Sequence, residues 1–537
     1  MRGIDSLSAR DRRETQKIGI RKEKRDENLQ KRRNLSMHDT SEVSPPVSAW
    51  EENSNTSSTD STPAHYKFTE ADIPDMVQGL RSTDIEIAVV NLRGFRRLLS
   101  SERNPPVQQC IDCGAVALFV QMLQRADSRD LQFEAAWALT NIASSDRTRV
   151  VVEQGAVPHL VALLLNKDAD IRDQSAWCLG NIAGDSAQLR DVVLAQPGVV
   201  QNILQNLAQP ANLPLLRNCT WTLSNFCRGK PQPAMSLLAP ALPMLAHLLA
   251  NSHDQDTTVD ACWALSYLSD GDNDRIMAVV EQGVVPTLVS MLRSDKTLEI
   301  TPALRTIGNI CSGNDKCTQA IVDADFLTAA VWLLQNPKKS IRKETCWALS
   351  NIAAGSVEQL QRLMQCPNLC TGILEALSQA SEWDVRKEAA WIVSNVATSS
   401  QPGHLAALVS AGVVEPLCDL LTQGDAKIIL VALEALEAIL KLGASSGSSA
   451  YARMISDCQG VDRMENLQEH KNNEVYQKVV QLLETYFGAE EEDENVAPVV
   501  AGNTFSFGLP TNASKSSSSD FNNSFVHQTP AFNFGAF

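Results

Sequence analysis

Short apolar runs recur along the chain, each long enough for two or three helical turns and each followed by a polar break and a mixed segment. Leu160-Val161-Ala162-Leu163-Leu164-Leu165 and Ile428-Ile429-Leu430-Val431-Ala432-Leu433 are examples. Ahead of several runs stands Gly-x-x-Pro, as in Gly155-Ala156-Val157-Pro158 and Gly283-Val284-Val285-Pro286. Glycine tolerates the positive φ that ends a helix, and proline fits the first turn of the next. The mixed segment carries a Trp and, four residues later, an Asn, which on a helix project from one face. The pattern predicts a unit of short helix, second helix and third helix, with the Trp/Asn rung on the third.

Complete rungs are Trp137/Asn141, Trp177/Asn181, Trp221/Asn225, Trp347/Asn351 and Trp391/Asn395, with altered rungs Trp263/Tyr267 and Arg305/Asn309 between them. Successive rungs start 40, 44, 42, 42, 42 and 44 residues apart. A period in the low forties is that of HEAT and armadillo repeats, which stack into a single solenoid. The expected fold is all-α, a right-handed armadillo-repeat superhelical solenoid of about ten repeats, with disordered N- and C-terminal segments. Residues 69–489 form the repeat domain. The unit containing Ala88–Phe95 and the one containing Ile428–Leu436 lack a rung Trp, and Val475–Phe487 supplies closing helices.

Charge changes the picture at the ends. The chain carries a formal net charge of −16, yet residues 1–35 hold twelve Lys/Arg against six Asp/Glu, which leaves −22 on the remainder. Residues 1–44 read as a basic arm, 45–68 as a flexible Ser/Thr/Pro-rich linker, and 490–537 as an acidic and then disordered tail. The tail contains the Phe-Gly words Phe505-Ser506-Phe507-Gly508 and Asn533-Phe534-Gly535-Ala536-Phe537. A basic arm on an acidic body can bind that body through a linker, and an acidic body repels nucleic acid. Of the thirteen Cys, only Cys110 and Cys113 form a CxxC, without a second pair or His partners at zinc spacing. Free thiols in a reducing compartment follow, with no metal or other cofactor. There is neither a transmembrane-length apolar run nor a signal-peptide core, so the expectation is a soluble, intracellular protein. Gly443-Ala444-Ser445-Ser446-Gly447 fits G-x-S-x-G but follows a helix and lacks His/Asp context, so catalysis is not expected.

Stacked third helices pave one extended surface. Neighbouring indoles make slots in which a Lys or Arg stem can lie, each cation–π contact contributing about 0.5–1 kcal/mol at exposed sites. An Asn carboxamide can bond the NH and CO of an extended peptide whatever its side chains. A buried Asn at every repeat needs its own partner or is costly, so exposure of the six on a binding face is expected. The implied ligand is an extended Lys/Arg-rich peptide.

The rungs, the Gly-x-x-Pro punctuation, Trp263-Ala264-Leu265-Ser266-Tyr267-Leu268-Ser269-Asp270 and the basic arm with Lys31-Arg32-Arg33-Asn34 closely resemble the importin alpha family over about residues 1–490. That resemblance implies a nuclear import adaptor, shuttling between cytoplasm and nucleus and passing through the nuclear pore. It implies a major groove for nuclear localisation signals at Trp137, Asn141, Trp177, Asn181, Trp221 and Asn225, with Thr148 and Asp185 receiving the key lysine. It implies a minor groove at Arg305, Asn309, Trp347, Asn351, Trp391 and Asn395, with Glu344 and Glu388 as acidic partners. The interruption between the two suits bipartite signals. The arm resembles an importin-beta-binding domain through Arg21, Lys22, Lys24, Arg25, Lys31, Arg32 and Arg33, the last three mimicking cargo in the groove. The last repeats and Glu490–Glu494 resemble the region engaged by an export receptor of the CAS type, whereas the Phe-Gly words resemble nucleoporin repeats more than the family's usual C-terminus and suggest a weak contact with an import receptor, with nucleoporins as further partners. The loop after Asn141 departs from the family in being shorter and lacking its Gly. The alternative reading is an armadillo scaffold for signalling or adhesion, which would favour acidic ligands.

Overall fold

The computed structural model describes residues 68–101, 103–399, 401–488, 499–501 and 504–506. Nine long third helices organise it: α1 (Ile85–Leu99), α2 (Arg129–Ala143), α3 (Ala169–Asp185), α4 (Leu213–Cys227), α5 (Gln255–Leu268), α6 (Thr297–Cys311), α7 (Lys339–Ala353), α8 (Trp383–Ala397) and α9 (Ala426–Ser445). Each of α2 to α9 follows two shorter helices, such as Thr148–Glu153 and Ala156–Leu163 ahead of α3. The three-helix unit read from the sequence is present throughout.

Local chemistry sets the boundaries. Asp168 caps α3 by accepting from Asp170 N and Ile171 N, and Ser128, Asn212 and Asp254 cap α2, α4 and α5 in the same way. Between the first and second helices one residue turns left-handed. Gly155, at φ 80°, does this ahead of Ala156–Leu163, while Asp325 and Asn368 take the position in later repeats at φ 67° and 63°.

Successive third helices pack on one another, and small side chains on them, among them Ala138, Cys178, Ala264 and Ala348, are fully buried. Apolar residues of the second helices, such as Leu160, Ile203 and Leu288, are fully buried beneath them. Thiols belong to this core, where burial pushes Cys178 up to about 12 and raises Cys262 and Cys346 too. They are therefore neutral packing groups. Among the described residues no cluster could hold a metal ion, and no single helix is long and apolar enough to cross a membrane.

The chain divides into two compact units, residues 1–479 and 480–537. After α9 the first holds the helices Ala450–Asp457 and Gly460–Asn466, and the helix Asn473–Tyr486 carries the chain across the division. Within the second, Val499–Ala501 pairs antiparallel with Thr504–Ser506. That pair lies inside the segment expected to be disordered and contains Phe505 of the first Phe-Gly word. Residues 1–67 and the rest of the tail lie outside the described residues, and with them Arg21, Lys22, Lys24, Arg25, Lys31, Arg32 and Arg33.

Candidate functional site

Every rung falls on a third helix, from Trp137/Asn141 on α2 to Trp391/Asn395 on α8. Asp185 is the last residue of α3, four residues beyond Asn181 and eight beyond Trp177, so all three share a face. The indoles differ in depth: Trp221 is 1% exposed and Trp263 9%, whereas Trp137, Trp177, Trp347 and Trp391 are half-buried.

The asparagines are placed differently from the sequence expectation. Asn141, Asn181, Asn225, Asn309, Asn351 and Asn395 are all buried, none more than 5% exposed. Burial is tolerable because each has a partner on the preceding third helix or, for Asn141, at the residue that caps it. Asn181 Nδ2 donates to Thr140 O at 3.1 Å, Asn225 to Gly180 O at 3.0 Å, Asn351 to Gly308 O at 3.2 Å and Asn395 to Ser350 O at 2.9 Å. Asn309 donates to Ser266 O at 2.8 Å, and Asn141 to Ser100 Oγ at 2.8 Å. With one exception the acceptor is the carbonyl just before the preceding rung's second position. The asparagines therefore staple repeat to repeat, and the same bond fixes each amide, with Nδ2 turned inward and Oδ1 on its opposite branch.

Close approach explains two helix-interior glycines. A Cβ on Gly180 would lie 2.5 Å from Trp221 Cζ3, and one on Gly308 would lie 2.0 Å from Trp347 Cζ3. Each glycine lets the next rung's indole approach the helix before it closely.

The acids are unequal. Arg305, in a Trp position, donates from Nε to Glu344 Oε2 at 2.7 Å and bonds Glu344 Oε1 through its second nitrogen. Glu344, on the next helix, thus forms a bidentate pair with Arg305. Glu388, three residues before Trp391, is 4% exposed and accepts no hydrogen bond from a described residue. Desolvation pushes its carboxyl up to about 7, with Glu344 raising it further and Lys343 opposing. Asp173, buried on α3, is likewise pushed up to about 7 by desolvation although Asn218 Nδ2 donates to it at 2.9 Å. A folded-state value above the unfolded one means the folded protein holds the extra proton between roughly pH 4.5 and 7. Stability present below that window is lost as pH rises through it. Glu388→Gln should therefore match the parent in urea unfolding at pH 4.5 and exceed it at pH 8, by about 1–3 kcal/mol.

Thr148 opens the helix Thr148–Glu153 and is fully buried, its hydroxyl lying 2.8 Å from Ala143 O and 2.9 Å from Ser145 O. Its proton caps the end of α2, so towards a ligand it offers oxygen lone pairs only. Sequence reasoning missed Arg96 and Glu134. Arg96 precedes Trp137 by 41 residues, one repeat period, but the absence of a Trp hid its rung.

Three kinds of likeness agree with this geometry. Residues 1–91 match the family model described as importin beta binding domain, beyond the 1–44 expected for the arm. Residues 103–144, 144–184, 231–270, 272–312, 314–354 and 401–439 match the armadillo/beta-catenin-like repeat, and 449–499 an atypical Arm repeat. The chain is 45% identical over 517 residues to importin subunit alpha-1a of Oryza sativa subsp. japonica, covering 94% of this chain and 95% of that protein. The chain belongs to the importin alpha family. Importin subunit alpha-1b of the same species is 47% identical over 445 residues, covering 81% of this chain and 83% of that protein. Importin subunit alpha-B of Dictyostelium discoideum is 40% identical over 521 residues, covering 95% and 96%. An engineered protein of known crystal structure superposes with a TM-score of 0.70 at 29% identity, over 77% of this chain and 98% of that one. Membership of the importin alpha family makes the chain a non-enzymatic nuclear import adaptor, which links cargo to importin beta.

Proposed function

We propose that the rung surface is where this importin alpha takes the Lys/Arg-rich localisation signals of its cargo. The observation that carries the reading is the asparagine ladder: six amides, one repeat apart except where Tyr267 interrupts, each held through Nδ2 by the repeat before, carry carboxamide oxygens of the kind that accepts from the N–H groups of an extended peptide. The half-buried indoles between them receive cationic stems. Trp137, Asn141, Thr148, Trp177, Asn181, Asp185, Trp221 and Asn225 form a first groove. Arg305, Asn309, Glu344, Trp347, Asn351, Glu388, Trp391 and Asn395 form a second. The two together take the two clusters of a bipartite signal. A cationic ligand beside Glu388 favours its carboxylate, so binding in the second groove tightens as pH rises through 7.

The finer organisation follows the same logic. Residues 1–44 act as importin-beta-binding arm and as competitor for the groove, 45–68 as tether, 69–489 as repeat domain and 490–537 as tail. The acidic run Glu490–Glu494 and the last repeats serve an export receptor of the CAS type, and the Phe-Gly words touch nucleoporins during passage through the pore. Ligand sign tests the groove. At 0.15 M salt a Lys/Arg-rich peptide should bind at least about 100-fold more tightly than an Asp/Glu-rich peptide of equal length. The reverse preference would place this surface with acidic-ligand scaffolds.

A further inference from the structure

Arg96 stands on α1 at the position where α2 to α5, α7 and α8 carry a rung Trp. Ser100 follows it by four, as Asn follows Trp, and accepts from Asn141 Nδ2 at 2.8 Å. Its guanidinium carbon lies 4.3 Å from the centroid of the Trp137 ring. Its Nε donates to Glu134 Oε2 at 2.7 Å, with side-chain exposures of 12% and 5%. Arg93 Nε holds the other oxygen of Glu134 at 3.0 Å. The interval between the first two rungs thus already contains a cation, an indole face and a carboxylate, all supplied by the chain itself. Arg305 repeats the ion pair, since its partner Glu344 precedes Trp347 by three residues as Glu134 precedes Trp137.

We propose that Arg96 is the end stop of the first groove, a specificity-determining residue that fills the slot on Trp137 where one further ligand cation would otherwise lie. It thereby limits the number of cations the groove reads and sets the register of the peptide. The proposal rests on the groove reading given above. A ligand lysine arriving at this end meets a stacked, ion-paired guanidinium in place of an aromatic slot, so extending the signal there gains nothing. Removing Arg96 uncovers the Trp137 face and one oxygen of Glu134, while Arg93 keeps the buried carboxylate paired. A new lysine can then take both contacts.

The test uses the full chain, with a short Lys/Arg-rich peptide extended by one Lys or one Ala at either terminus. The affinity ratio of Lys-extended to Ala-extended peptide cancels any competition from the arm, because both peptides meet the same protein. For the parent the ratio should be near one at the end that reaches Trp137. In Arg96→Ala it should rise about three- to tenfold at that end and remain unchanged at the other. If helical circular dichroism shows Arg96→Ala unfolded, Arg96→Gln supplies the same comparison, keeping a polar side chain without the charge. Ratios that do not change at either terminus overturn the end stop. Failure of the unextended peptide to bind the parent overturns the groove itself, so the two failures are distinguishable.

Discussion

Asp185→Lys should lose a single-cluster Lys/Arg-rich peptide from the first groove, by about 100-fold or more, in a chain that remains folded. The carboxylate closes α3 on the face shared with Trp177 and Asn181 and is half-buried. Substitution removes the anion proposed to receive the ligand's ammonium and puts a cation in its place. Truncating one partner of such a pair costs about 2–5 kcal/mol, and repulsion adds to that. The fold is spared because a lysine in the last turn of a helix suits the macrodipole. Fluorescence anisotropy with a labelled peptide checks the loss, and circular dichroism checks the fold. Affinity within tenfold of the parent would remove Asp185 from the site.

The second large effect lies at a residue that touches no ligand. Gly308→Val should silence the second groove while leaving the first intact. A Cβ there would sit 2.0 and 2.4 Å from two atoms of the Trp347 ring, far inside any real contact. The indole must leave its place, and the Gly308 carbonyl that accepts from Asn351 moves with the strained helix. Overpacking of this kind costs about 1–3 kcal/mol in stability. A two-cluster peptide should then bind the variant no better than its single major cluster does, as read by titration calorimetry. Unchanged two-cluster affinity would mean that Trp347 does not contribute from this position. Thr140, Ser224, Ser266 and Ser350 occupy the same helical position in other repeats and carry a Cβ, so the requirement belongs to Gly180 and Gly308 alone.

Much of this was legible in the sequence. The repeat period and the Trp-to-Asn spacing located α2 to α8, because a rung is a local feature and its recurrence is visible in one line of text. The partner of each asparagine was not legible. Asn181 bonds Thr140 from 41 residues away and Asn395 bonds Ser350 from 45, and no local pattern reports a bond between helices of different repeats. That is why exposure was expected where burial is found. Glu344 and Arg305 were both identifiable as site residues, yet only the stacking of α6 on α7 makes them a pair. Thr148 could be placed near the end of α2, but its hydroxyl's tie to Ala143 O depends on how the short connecting turn closes. The need for Gly180 and Gly308 was not legible either, because the indoles that crowd them come from the next repeat.

The most direct test of the central claim is the affinity of one Lys/Arg-rich localisation peptide for the full chain and for a chain beginning at residue 66, at the same salt concentration. Tighter binding to the shortened chain is the predicted result, because the arm with Lys31, Arg32 and Arg33 no longer competes for the rung surface. Equal affinity would contradict the competition and leave the groove standing. Binding to neither chain would contradict the account as a whole, leaving the Trp/Asn ladder as the staple between repeats and nothing more.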